Sequence, residues 1–207
     1  MIVVVEGVSA AGKSTWCQAH YPQQTVSELP PVVPELDSSL DERQRQEFWL
    51  RRNKERWRCA SDLEATTGLA VCDTDPFKLH YTWGLWRIGR DSVSSWEWAV
   101  TAAQKAFQEG SLGLADLILV ADVDESDLRL RRNSDSEGTG RRRGTFDLHV
   151  LLREPLREWY EAVERVSPGR VRWELPSDGD LSPAPSVRSP RSGAALFHAL
   201  LSELPAR

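Results

Sequence analysis

The chain has 207 residues, enough for one sizeable domain, and a single domain over 1–207 is expected. Its net charge of −5 argues against a nucleic-acid coat or a polybasic membrane surface, and no apolar run approaches the ~20 residues of a membrane span. Three cysteines, Cys17, Cys59 and Cys72, form no C-x-x-C pair and are odd in number, which fits a reducing compartment rather than a disulfide scaffold.

Residues 1–7, MIVVVEG, are a β-branched run that stops at glycine and read as a fully buried strand of a parallel sheet. The chain enters this strand at once, leaving no room for a cleaved leader, so a cytoplasmic protein is expected. KSTWCQAHY follows as a short helix stopped by Pro22. Residues 23–36 are extended and broken by proline, with a second strand at Thr25–Glu28. Residues 37–68 form the longest helical pattern, capped by Asp37 or Ser38 and ended by Gly68. LAVCD is the next buried strand. Residues 74–98 are aromatic-rich and read as irregular; a helix over 95–110 follows, then a third strong strand, ADLILVAD. Residues 125–166 are helical at both ends around a polar, Gly- and Arg-rich stretch at 133–145. GRVRWELP is a last strand, 177–192 a Ser/Pro/Gly loop mobile by composition, and SGAALFHALLSEL a closing helix.

Strands alternating with helices imply a three-layer α/β fold with a mainly parallel five-stranded sheet. Ligands in such sheets bind at the carboxyl ends of the strands. Gly7, Asp73 and Asp122 all stand at such ends, so three segments point at one crevice.

Gly7 to Ser14 fits G-x-x-x-x-G-K-S/T with every fixed position filled. Successive backbone N–H groups must wrap a phosphate there, which requires glycines with positive φ and room for close approach. Gly7, Ser9, Ala10, Ala11, Gly12, Lys13, Ser14 and Thr15 are the candidate triphosphate contacts. Lys13 would reach the β- and γ-phosphates, and Ser14 would hold Mg²⁺ together with Asp73. A glycine-flanked turn with a surface lysine is the bland alternative, but a strand just before and a helix just after supply the context the motif demands. A GTPase switch is disfavoured: NKER at Asn53–Arg56 lacks the base-reading Asp, and DSEG at Asp135–Gly138 falls in a polar loop.

With this loop in place, the later segments resemble the thymidylate kinase and deoxynucleoside kinase group of P-loop kinases. GLAVCDTDPF is similar to that group's strand ending in an acid. Residues 114–147 are similar to its strand, short link and Arg-bearing lid, here about 125–147. VSELP is similar to the Glu-Pro after its second strand. Thr74 stands where the group writes arginine, and Leu29 separates Glu28 from Pro30. The resemblance implies a three-layer P-loop NTPase fold with an Arg-rich lid, ATP and Mg²⁺ as cofactors, and a nucleoside or nucleotide as acceptor. A chloramphenicol phosphotransferase-like kinase of a non-nucleotide acceptor fits the same chemistry, and a nucleotide-binding module without transfer is the alternative from another class.

Glu28 and Asp75 are rival proton acceptors; Asp75 also reads as a cap for the turn before Pro76, and Glu28 as a solvated loop acid. Arginine outnumbers lysine 22 to 4, and Arg129, Arg131 and Arg132 with Arg141, Arg142 and Arg143 flank the lid glycines. One such guanidinium on the transferring phosphoryl group would be catalytic, Arg132 and Arg142 being the leading choices and Arg129 a ready substitute. Phe77, His80, Tyr81 and Trp86 are candidates for an aromatic acceptor wall, against a plain core reading. Arg52 or Arg56 on the long helix would face the acceptor, against a solvated-face reading. The expected protein is thus a cytoplasmic, ATP-dependent kinase of a small acceptor. Membrane or polynucleotide partners are disfavoured, and a homodimer is compatible with the sequence.

Overall fold

Strand β1, Ile2–Glu6, has all five side chains buried, as a central strand covered on both faces must. The computed structural model describes residues 1–28, 41–134, 146–182 and 190–206. Around β1 lie β2 (Thr25–Val26), β3 (Ala70–Asp73), β4 (Leu117–Val120) and β5 (Val171–Arg172), in the order β2-β3-β1-β4-β5 with every pairing parallel. The pleat sends alternate side chains to opposite layers. Ile2 and Val4 join Trp57, Phe77, Trp83, Phe107, Trp159 and Phe197 on one face; Val3 and Val5 meet Trp16, Cys17 and Leu181 on the other. The three-layer α/β fold expected from the sequence is therefore present. Register places Val5 beside Asp73 and Glu6 beside Val120, so the strand ends that carry the candidate acids share one edge.

Helices α1 (Lys13–His20), α2 (Glu42–Thr67), α3 (Leu79–Arg87), α4 (Val93–Gln108), α5 (Glu125–Ser134), α6 (Phe146–Leu151), α7 (Arg153–Val166) and α8 (Ala194–Ser202) complete the described chain. Four expectations need correction. The cap of α2 is Asp41: its side chain takes the Gln44 N–H while the Gln44 side chain takes the Asp41 N–H, a reciprocal box that fixes the start at Glu42. Asp37 and Ser38 lie outside the described residues. Gly68 ends the helix as expected, in left-handed backbone at φ 82°.

Residues 74–98 are not irregular but hold α3 and the start of α4, the latter capped by Ser92. Their aromatics point to more than one neighbour: Trp83 enters the core, while Trp86 stacks on Trp96 with ring centroids 5.8 Å apart. No single apolar stripe therefore marks α3 in the sequence. Strands β2 and β5 are shorter than expected, each an edge strand of two residues. The stretch 177–192, expected to be mobile, is anchored over its first part. Tyr21 donates to the Gly179 carbonyl, Arg172 to those of Asp180 and Ser182, and Leu181 is buried. At its far end Arg191 ties α2 to the start of β4 through Glu64 and Asp116. Among the described residues no helix is long and apolar enough to cross a membrane.

Candidate active site

β1 delivers its chain directly into the glycine loop. Gly7 has φ 150°, and a Cβ there would lie 3.0 Å from the Ala121 carbonyl, so only glycine lets the loop leave the sheet against β4. Gly12, at φ 92°, caps α1 and sits open to solvent. Ala10 takes left-handed backbone without being glycine. Lys13 is buried, and its ammonium donates to the carbonyls of Gly7 (2.6 Å) and Val8 (3.0 Å). Its pKa is lowered, burial outweighing the carboxylates nearby.

Beneath the loop stands Glu6, which sequence reasoning missed. One oxygen accepts the Gly7 N–H (2.9 Å), the other accepts the Asp75 N–H (2.9 Å) and lies 3.5 Å from His80 Nε2. Burial raises its pKa, but the charges of Lys78 and Lys13, with the Asp75 N–H, outweigh this and hold the carboxylate below its ordinary value. An acid inside an otherwise apolar strand was the readable signal, because burying a lone carboxylate is costly unless cations answer it.

Ser14 Oγ donates to Asp73 Oδ2 at 2.6 Å, and Asp73 Oδ1 has no hydrogen-bond partner among the described residues. A hydroxyl, a carboxylate and an unused oxygen are hard donors of the kind Mg²⁺ takes, so the pair fits the ion. Among the described residues no group of three or more His, Cys, Asp or Glu could hold a metal alone. The ion would therefore need ligand oxygens as well.

The glycine loop opens into a cavity of about 570 Å³ that runs past Glu28 and Lys78 to Trp49 and Asn53 on α2 and Trp98 on α4. Glu28 reaches it, its carboxylate 2.9 Å from Lys78 Nζ. Asp75 does not line it and is wholly buried. It accepts from the Phe77 N–H (2.8 Å) and the Tyr160 hydroxyl (3.1 Å), which is the turn-capping role, and burial pushes its pKa up to about 6. Phe77, His80 and Tyr81 line the cavity; Trp86 does not. His80 is neutral, burial pushing its pKa down to about 4.

Arg56 lines the cavity but is mostly engaged: it donates to the carbonyls of Ser27 (3.2 Å), Asp73 (2.8 Å) and Thr74 (2.7 Å), and only Nη1 lacks a partner among the described residues. Arg56→Ala is expected to cost about 2–4 kcal/mol, chiefly by orphaning the Asp73 and Thr74 carbonyls at the end of β3. Urea denaturation measures it. Arg52 does not line the cavity and pairs with Glu55 on the helix surface.

From α5, Arg131 reaches the glycine loop, donating to the Ala11 carbonyl at 3.2 Å and lying 3.6 Å from a Cβ built on Gly12. Arg129 bridges Glu125 and Asp147 instead. Arg132 lies next to Arg131 on α5, and Arg142 lies outside the described residues with the rest of 135–145. A stretch with six arginines between 129 and 143 offers no local sign of which one turns inward.

Fold and loop together give the all-parallel, five-stranded α/β architecture that is also seen in solved P-loop kinases. Among solved structures the chain is similar to deoxyadenosine kinase from M. mycoides. With dCMP and a flexible dCDP bound, that enzyme matches at 15% identity and TM-score 0.56, over 84% of this chain and 89% of that one. With dATP bound, the values are 12% and 0.55, over 84% and 91%. With dCTP bound they are 12% and 0.52. At such identity the likeness establishes the fold. No protein-family model matches the chain, and no curated protein sequence does.

Proposed function

We propose that the chain is an ATP-dependent kinase that moves the γ-phosphoryl group to a hydroxyl of a nucleoside-like acceptor. The observation that carries this reading is the continuity of the site: the glycine loop with Lys13 opens straight into a walled cavity, and Glu28 stands at the junction. The phosphorylated products and triphosphates named with the similar deoxyadenosine kinase structures support a nucleoside as acceptor. Lys13 holds the β- and γ-phosphates, and Ser14 and Asp73 hold Mg²⁺. When bound, the ion offsets charge on the phosphates. Glu28 takes the proton of the acceptor hydroxyl, and Arg131 turns from the Ala11 carbonyl to the transferring group. Arg56 Nη1 is one spare donor, suited to orienting a hydroxyl or carbonyl rather than gripping a second phosphate in a fork.

The test is ADP release measured across 2′-deoxynucleosides, ribonucleosides, nucleoside monophosphates and hydroxylated antibiotics. Release should depend on a nucleoside and stop with EDTA. ATP turnover indifferent to every acceptor would refute the reading.

A further inference from the structure

Lys78 is a buried-site cation that the mechanism above leaves without a role. It stands at the N-cap of α3, with no side-chain cap bond. Local energetics oppose a lysine there: the position favours Ser, Thr, Asp or Asn, and the helix dipole repels a cation. Arginine is this chain's usual cation, yet two of its four lysines, Lys13 and Lys78, line the same crevice. The difference matters, because an ammonium on a flexible four-carbon stem can change partners where a planar fork is held by its geometry.

The charges around Lys78 form an alternating set. Glu28 lies 2.9 Å away, Glu6 attracts it from beneath the glycine loop, and Lys13 and Arg56 repel it. His80 beside Glu6 is neutral. Burial works against the charge of Lys78, but Glu6 and Glu28 more than offset this, and its pKa lies above the ordinary lysine value. Lys78 therefore stays an ammonium, and two carboxylates face two ammonium groups before any triphosphate arrives. A γ-phosphate entering beside Lys13 adds anionic charge next to that set. Arg56 is tied to strand-end carbonyls through Nε and Nη2, so only its Nη1 can turn toward that charge.

We propose that Lys78 is a swinging cation: it pairs with Glu28 in the free site and moves to the γ-phosphate when ATP binds, which withdraws its positive charge and makes Glu28 more basic as the proton acceptor. This rests on the phosphoryl-transfer reading above. The acceptor oxygen then forms its bond to the γ-phosphorus as the β–γ bridging P–O bond breaks. ADP keeps that electron pair, and the hydroxyl proton passes to Glu28 and on to solvent. The arrangement links base activation to donor loading.

Two measurements test it. In a crystal with the non-hydrolysable analogue AMP-PNP and Mg²⁺, Lys78 Nζ should lie within hydrogen-bond distance of a γ-phosphate oxygen and away from Glu28. AMP-PNP in the glycine loop with Lys78 still on Glu28 overturns this proposal alone. An empty glycine loop overturns the phosphoryl-transfer reading and this one with it. In solution, with 2′-deoxyadenosine and 2′-deoxycytidine as acceptors, Lys78→Met should lower kcat by about 10²–10³-fold, the effect of removing one preorganised donor, while AMP-PNP affinity falls by about tenfold or less, because that contact is also made in the ground state. Lys78→Arg should keep only part of the rate, and methylammonium should restore Lys78→Ala in proportion to its concentration. Loss of AMP-PNP affinity equal to the loss of rate, or no response to the amine, would show a merely structural lysine.

Discussion

Lys13→Ala is expected to lower acceptor-dependent ADP release by about 10²–10³-fold or more, the scale of removing one preorganised donor from a phosphoryl-transfer site. The ammonium already points back into the glycine loop, held by the Gly7 and Val8 carbonyls, so a phosphate in the cradle meets a charge placed in advance. ATP affinity should fall as well, because the ground-state phosphates share that contact. The substitution also takes one of the cations from buried Glu6. Thermal denaturation must therefore accompany the kinetics, and Lys13→Met is the better-packed control. Unchanged ADP release in a folded variant would remove the glycine loop from the chemistry.

Glu28→Gln is expected to separate rate from binding. Phosphoryl transfer leans on positioning and charge, so losing the proton acceptor should cost about 10²–10⁴-fold in kcat with ATP affinity retained. Asp75→Asn supplies the contrast. Its carboxylate is sealed between the Phe77 N–H and the Tyr160 hydroxyl, so its effect should fall on stability, with kcat changed less than about threefold. The reverse pattern, a large rate loss at Asp75 and none at Glu28, would move the acceptor hydroxyl to the other side of β3. Single-turnover kinetics and AMP-PNP titration on both variants decide it.

How far the sequence reveals such a site depends on whether its contacts are local. The glycine loop was legible because strand, loop and helix are contiguous and each has its own pattern. Asp73 was legible as an acid closing a buried run, and the Ser14–Asp73 contact joins two motifs that could each be recognised alone. Lys78 was not. Its partners lie fifty and seventy-two residues back in the chain at Glu28 and Glu6, and only the placing of β3 between β2 and β1 brings them together. Helix α3 was missed for a related reason. Its aromatics serve two packing partners at once, so periodicity averages out although the backbone is regular. Among the arginines of 129–143 composition fixes the kind of group but not the individual, because selecting Arg131 depends on how α5 is rotated over the loop.

Arg56 sits near the middle of the 26-residue α2 while its guanidinium grips the chain just past β2 and at the end of β3. One side chain thus anchors two separate strand ends to a single helix, so Ser27 and Asp73 share one tether, and removing that guanidinium would loosen both sides of the crevice at once.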